Sequence, residues 1–393
     1  MRIPWKRIML AVPASLLVAC GDQPSRPDAN PMAPATAVPT LAGAAGRITT
    51  YDAPGAGTGA GEGTQGLAIN PTASIAGFYI DARRVTHGFL REPDGRFTRL
   101  DAPGAGRATA GGHVATAVGV PGGQGTYAIA VNPVGAVVGF YVDGGNAAHG
   151  FLRAPDGRFA GIDVPGAGTG SGQGTYAANI SPAGTIAGTY VDASGAVHGF
   201  VRAPHGALTT FDAPGARGTT VEWATGINPS GAVTGTCWDA SGAIHGFVRA
   251  PDGAIGTFDV PGARHTLAWS INPAGAVTGA YLDTAGANHG YVRAPEGRIT
   301  RFDVPGAGTG AGQGTIPEGN DDTGSIVGRY VDASGANHGF VRAPDGTLTT
   351  FDAPGAGARV GQGTIPLAVS PAGVISGVSI DDAGATHGFE RAP

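Results

Sequence analysis

The sequence predicts an all-β chain, a seven-bladed β-propeller of four-stranded antiparallel blades closed by its own N-terminal strand. Three observations predict it. One unit recurs through nearly the whole chain, each copy divides into four short β-prone runs, and the repeat region begins one strand out of phase with where it ends. Abundant Gly (71) and Pro (30) in 393 residues argue against long helices, while a 41% hydrophobic share argues against disorder throughout.

The first element is an address. Arg2, Lys6 and Arg7 precede an apolar run from Ile8 to Val18, followed by Leu17-Val18-Ala19-Cys20. Residues 1–19 read as a secretory signal, too short to span a bilayer as a mature helix. Residues 20–46, rich in Pro, Ala and Gly without apolar periodicity, read as a flexible tether. Residues 47–393 are then the propeller. Lys6 is the only Lys, so the mature chain carries 21 Arg against 29 acids. That balance disfavours nucleic acid and excludes a GK[ST] phosphate loop. Cys237 is the only cysteine besides Cys20.

The repeat follows. His-Gly-Phe, once His-Gly-Tyr, begins at His87, His149, His198, His245, His289, His338 and His387, each with an Arg four positions later. The third copy shows the whole unit: strand A (Thr175 to Ser181), B (Thr185 to Asp192), C (Val197 to Ala203) and D (Ala207 to Asp212), separated by Pro- and Gly-fixed reversals. Strand A carries small residues and is expected innermost, with D outermost. An orphan strand D at residues 47–52 precedes the first copy, and the chain stops after the last strand C. Pairing the first strand with the last blade would leave no free seam. A stacked solenoid is the other architecture with this period, and it would not need the shifted start.

Two segments resemble known patterns. Leu17 to Cys20 resembles the bacterial lipobox, which implies a diacylated Cys20 and a lipoprotein of the cell envelope, anchored through its acyl chains. Gly21 after that cysteine implies the outer membrane, on its periplasmic or surface face. The string Asn272-Pro273-Ala274-Gly275-Ala276-Val277-Thr278-Gly279, then His289-Gly290-Tyr291-Val292-Arg293, and Arg298 to Gly306 resembles the bacterial extracellular HAF repeat family. The likeness covers about residues 47–393, with Gly in place of the middle Ala. It implies an extracytoplasmic, propeller-like protein and no particular activity.

The repeated polar residues favour structural roles. Each His follows an Asp by six positions (Asp81, Asp143, Asp192, Asp239, Asp283, Asp332, Asp381), a pairing suited to pinning the B–C turn. An active site needs one constellation, not seven, and one or two acids per turn are too few for calcium. The Asp of each FDxPGA reads as an Asx-type turn, and the repeated Arg as pairing with neighbouring carboxylates or carbonyls. The Gly-rich loops lack the strand–helix context of a dinucleotide site. No GxSxG, HExxH, CxxC or SxxK motif occurs in the mature chain, and no metal or cofactor is expected.

Departures from the repeat are the better functional candidates. Trp223, Trp238 and Trp269 all fall in blades four and five, with Glu222, Arg217, Arg264 and His265 beside unusually short D–A turns. Short loops beside aromatics would make a notch suited to a sugar ring or a peptide side chain; the alternative is that these Trp fill gaps between blades. Residues 107–123 form an insertion in blade two, with His113. The expected function is a non-catalytic binding or scaffold module, monomeric, for a glycan or protein partner. The alternative is a polysaccharide hydrolase or lyase, which requires acids, or an acid and His265, converging near the Trp cluster.

Overall fold

The computed structural model describes residues 46–107, 123–221 and 226–393. Cys20, the signal segment, His113, Glu222 and Trp223 lie outside the described residues.

Every regular element described is a strand. After β1 (Ile48–Tyr51) come β2 (Gly63–Ile69), β3 (Ile75–Ile80), β4 (Thr86–Arg91) and β5 (Phe97–Leu100). The unit then recurs as β6 (Gly125–Val131), β7 (Val137–Val142), β8 (Ala148–Arg153) and β9 (Phe159–Ile162), and as β10 (Gly174–Ile180), β11 (Ile186–Val191), β12 (Val197–Arg202) and β13 (Leu208–Phe211). A fourth copy comprises β14 (Gly218–Val221), β15 (Val233–Trp238), β16 (Ile244–Arg249) and β17 (Ile255–Phe258). β18 (His265–Ile271), β19 (Val277–Leu282), β20 (Asn288–Arg293) and β21 (Ile299–Phe302) follow, then β22 (Gly314–Asn320), β23 (Ile326–Val331), β24 (Asn337–Arg342) and β25 (Leu348–Phe351). The last are β26 (Gly363–Val369), β27 (Ile375–Ile380) and β28 (Thr386–Arg391).

Consecutive strands pair antiparallel within each set, as in β10 through β13. β28 is flanked by β27 on one side and β1 on the other, with Ile48 opposite Arg391 and Thr50 opposite Phe389. First strands of neighbouring sets pack on one another (β2 with β6 and β26, β18 with β22, β22 with β26), which places them innermost. The fold is therefore a β-propeller, with sheets radiating from the inner strands.

Packing explains the repeat. The aromatic residue of every His-Gly-Phe or His-Gly-Tyr is buried, from Phe89 to Phe389, and fills the space between neighbouring sheets. The middle glycine is required by contact: a Cβ on Gly199, Gly246, Gly290 or Gly339 would press into the ring of Phe211, Phe258, Phe302 or Phe351 on the adjacent outer strand. The outer strand itself has two exposed middle residues between half-buried ends, so only its ends contribute to the filling.

Seams between sets carry their own bonds. The Thr at the second position of every inner strand is buried, and its Oγ1 accepts the backbone N–H that follows the preceding FD: Ala53 to Thr64, Ala102 to Thr126, Val164 to Thr175, Ala213 to Thr219, Val260 to Thr266, Val304 to Thr315 and Ala353 to Thr364, all at 2.9–3.0 Å. The repeated Arg stacks across the same seam: Arg91, Arg249, Arg293, Arg342 and Arg391 lie 4.6–5.2 Å over Tyr51, Phe211, Phe258, Phe302 and Phe351. The expected pairing with carboxylates or carbonyls occurs beside it: Arg91 pairs with Glu390 at 2.9 Å, and Arg153 and Arg249 donate to the Ala154 and Ala250 carbonyls at 3.5 and 3.2 Å. The stacking is possible because the outer-strand aromatic of one sheet faces the third strand of the next.

The expected pairing of each His with the Asp six positions before it is present, but the Asx-type turns belong to that Asp and not to the FDxPGA Asp. Asp81, Asp143, Asp192, Asp239, Asp332 and Asp381 make the Asx-type turns, their Oδ1 accepting the N–H four residues on, as Asp283 does from Ala287. The FDxPGA Asp instead bonds His Nδ1, as in His198–Asp212 at 2.9 Å and His387–Asp52 at 3.0 Å. His Nε2 lies 3.4–3.6 Å from the turn Asp, so each imidazole bridges two carboxylates. A Tyr of the neighbouring strand stacks on the ring in five copies, for example Tyr190 on His198.

Candidate functional site

The fourth set stands apart. In five seams the first residue of an inner strand forms a parallel bridge to the third strand of the preceding set, as Gly174 does with Ala148. β14–β17 make none and form a sheet of their own. The cause lies in the loops on either side. Gly168 and Gly174 bracket five residues, whereas Arg217 and Gly218, like Arg264 and His265, are adjacent. Arg217 and Arg264 take over the backbone bond that Gly168 makes elsewhere, donating N–H to Trp238 and Leu282 carbonyls.

Loss of those loops uncovers the turns beneath them. At Gly335 and Gly384 the nearest neighbours of an added Cβ belong to Val360 and Ala60, in the D–A loop of the next set; at Gly195 and Gly242 nothing lies within 4 Å. The turns at Gly195 and Gly242 are therefore uncovered, and exposed Arg264 and half-buried Trp238 and His265 belong to the same region.

His265 occupies a position that is Gly in the other copies described. Elsewhere the third-strand N–H at the seam donates to a backbone carbonyl, such as Asn288 to Gln313. Here the Ile244 N–H donates to His265 Nδ1 at 3.2 Å, so the imidazole substitutes for that carbonyl and must leave Nδ1 unprotonated. Burial, then Arg264 and His245, hold the His265 pKa below its ordinary value. His245 is raised, chiefly by its bond to Asp259 against the pull of burial.

Trp238 and Trp269 meet in one apolar cluster with Ile244, Leu267, Ala280 and Leu282. Each is half-buried, so both fill the seam between the fourth and fifth sets and keep an accessible edge. Trp238 covers Gly218, where a Cβ would collide with the indole. Trp269 is the extra residue of a β-bulge on β18, between Ala268 and Ser270. The structure thus brings Trp238, Trp269, Arg264 and His265 to one region. It pairs His265 with a backbone N–H rather than with an acid. Among the described residues no group of three or more His, Cys, Asp or Glu is disposed to hold a metal.

One charged pair escaped the sequence reading. Glu318, the bulge residue of β22, is paired with Arg329 of β23 at 2.5 Å, and the arginine side chain is 7% exposed. Burial raises the Glu318 pKa, opposed by the charge of Arg329. The available signal was positional: the corresponding residues elsewhere are Leu67, Ile129, Ala178, Trp269 and Leu367.

No protein-family model and no curated protein matches the chain. Among solved structures, the BP39L lectin from Burkholderia pseudomallei is similar at a TM-score of 0.50 and 12% identity, over 89% of this chain and 98% of that one. A puromycin hydrolase is similar at a TM-score of 0.51 and 15% identity, over 82% of this chain and 50% of that one. The chain spans about half the length of that hydrolase. What these proteins share with it is the fold, a β-propeller.

Proposed function

We propose that this protein is a non-catalytic lipoprotein of the cell envelope, anchored through Cys20 and built as a closed seven-bladed propeller that binds a glycan or protein partner. The ring reading is supported by the pairing of β1 with β28, which supplies the last set with its fourth strand. Extracytoplasmic placement and outer-membrane sorting rest on the lipobox and HAF resemblances. The observation that carries the binding role is the uncovered pair of turns at Gly195 and Gly242 beside Trp238, a break in an otherwise regular face. Function needs such asymmetry, and a half-buried indole beside uncovered turns suits a sugar ring or an apolar side chain. A lectin shares the fold, in keeping with a glycan partner.

The test is a binding screen of the full chain against glycans and peptidoglycan fragments, repeated with Trp238→Ala and Arg264→Ala. Affinity should fall about tenfold or more, equivalent to about 1.4 kcal/mol, in at least the Trp variant. Unchanged binding in both variants rejects the notch. Cys20→Ser should abolish acylation and membrane retention, read by mass spectrometry and fractionation.

A further inference from the structure

We propose that the inner strands β18, β22 and β26 carry a second binding site, for a neutral sugar ring, centred on Glu318. The inference rests on the binding-module reading above and assigns it a subsite away from the notch.

The bulge residues of the inner strands share one position beside the innermost contacts of the fold. Leu67, Ile129 and Leu367, from three neighbouring sets, join one apolar cluster, in keeping with an inward direction. Aromatic rings fill one side of this interior: Phe78, Tyr127, Phe140 and Tyr176 follow one another at centroid distances of 4.8–5.0 Å. On the other side the second-strand residues are Ala280, Arg329 and Val378, and the bulge residues Trp269, Glu318 and Leu367 are half-buried rather than covered.

The repeat does not need a carboxylate there, since Leu and Ile serve the same position. A desolvated ion pair is costly to keep and gains little over apolar side chains of similar volume. Arg329 from β23 neutralises Glu318 and fixes one of its oxygens, while the Glu318 side chain stays 18% exposed. Such a pair has no net charge to offer a cation or an anion. It does offer an oriented acceptor for hydroxyl groups, and Trp269, at the same position of the adjacent inner strand, offers an aromatic face for C–H edges. The two strands are held in register by Ser270 Oγ donating to Asn320 Oδ1 at 2.6 Å.

The experiment is calorimetric titration of the full chain with neutral oligosaccharides, with uronate-bearing and glucosamine-bearing oligosaccharides as comparison arms. A neutral oligosaccharide should bind best, and Glu318→Gln and Trp269→Leu should each weaken it tenfold or more. Because Glu318→Gln removes the charge that Arg329 pairs with, a paired Glu318→Leu/Arg329→Leu variant is included, which should melt at or above the wild-type temperature and still lose the sugar. Wild-type affinity in the paired variant overturns the axial site. Preference for the charged arms overturns it too. Loss confined to Trp238→Ala overturns it while leaving the binding-module reading intact, whereas no binding of any glycan by the wild type removes the sugar reading for both places.

Discussion

At the scale of single residues, His265 shows how a departure from the repeat is absorbed. Its side chain replaces a main-chain acceptor, so its neutral form is the one the fold uses. With its folded pKa below the ordinary value of 6.5, its stabilisation is complete above that value and fades as pH falls through it towards the folded value. His245 and His387 have raised values, so their stabilisation is complete below about 6.5 and fades as pH rises through their folded values. Burial pulls His387 down, but the bonds and charges of Asp52 and Asp381 outweigh it. Replacing His265 by Gly, the residue of the other copies, should cost about 1–3 kcal/mol at pH 7 by leaving the buried Ile244 N–H without an acceptor. The difference in melting temperature between His265→Gly and wild type should shrink from pH 7 to pH 5. Parallel curves would show that His265 does not titrate with folding.

At the scale of elements, the Thr bonds and Arg–aromatic stacks join an inner or third strand to the outer strand of a neighbouring unit, and the His–Asp bridges join a third strand to the outer strand of its own sheet. A unit without its outer strand therefore loses contacts to two sheets at once. β1 illustrates the consequence, since Ile48 packs with the cluster of Ile375 and Phe389, and Asp52 serves His387. Deleting residues 47–54 should destabilise the chain by at least about 3 kcal/mol, the scale of exposing a few large apolar side chains. Urea denaturation reads this directly, and wild-type stability in the deletion would separate β1 from the integrity of the last set.

At the scale of the whole molecule, regularity is broken at the fourth set. β14–β17 lack the parallel bridges found at five other seams, so they are joined to their neighbours by side chains and fewer main-chain bonds. Native-state hydrogen exchange should find amides of β15–β17 opening at lower free energy than those of β7–β8, because local stability follows the bonds that must break. Equal protection would mean that side-chain packing, including Trp238 and Trp269, compensates for the missing bridges. The same gap creates the proposed notch, so a looser blade and an open face have one origin: two loops each five residues shorter than their counterparts.

Four-stranded units, turn positions, the shifted first strand and the short loops were legible in the sequence by itself, because period, apolar alternation and Gly or Pro placement are local signals. The pairing of each His with the Asp six positions before it was legible too, but the partnerships between distant strands were not. Asp52 and His387 stand 335 positions apart, and an outer-strand ring meets its Arg only when two sheets lie side by side. The bulge at Trp269 and at Glu318 also leaves no local mark, since an extra residue shows only against the strand it pairs with. Tertiary structure alone decided which charges met, because proximity across a seam depends on how whole sheets pack and not on spacing along the chain.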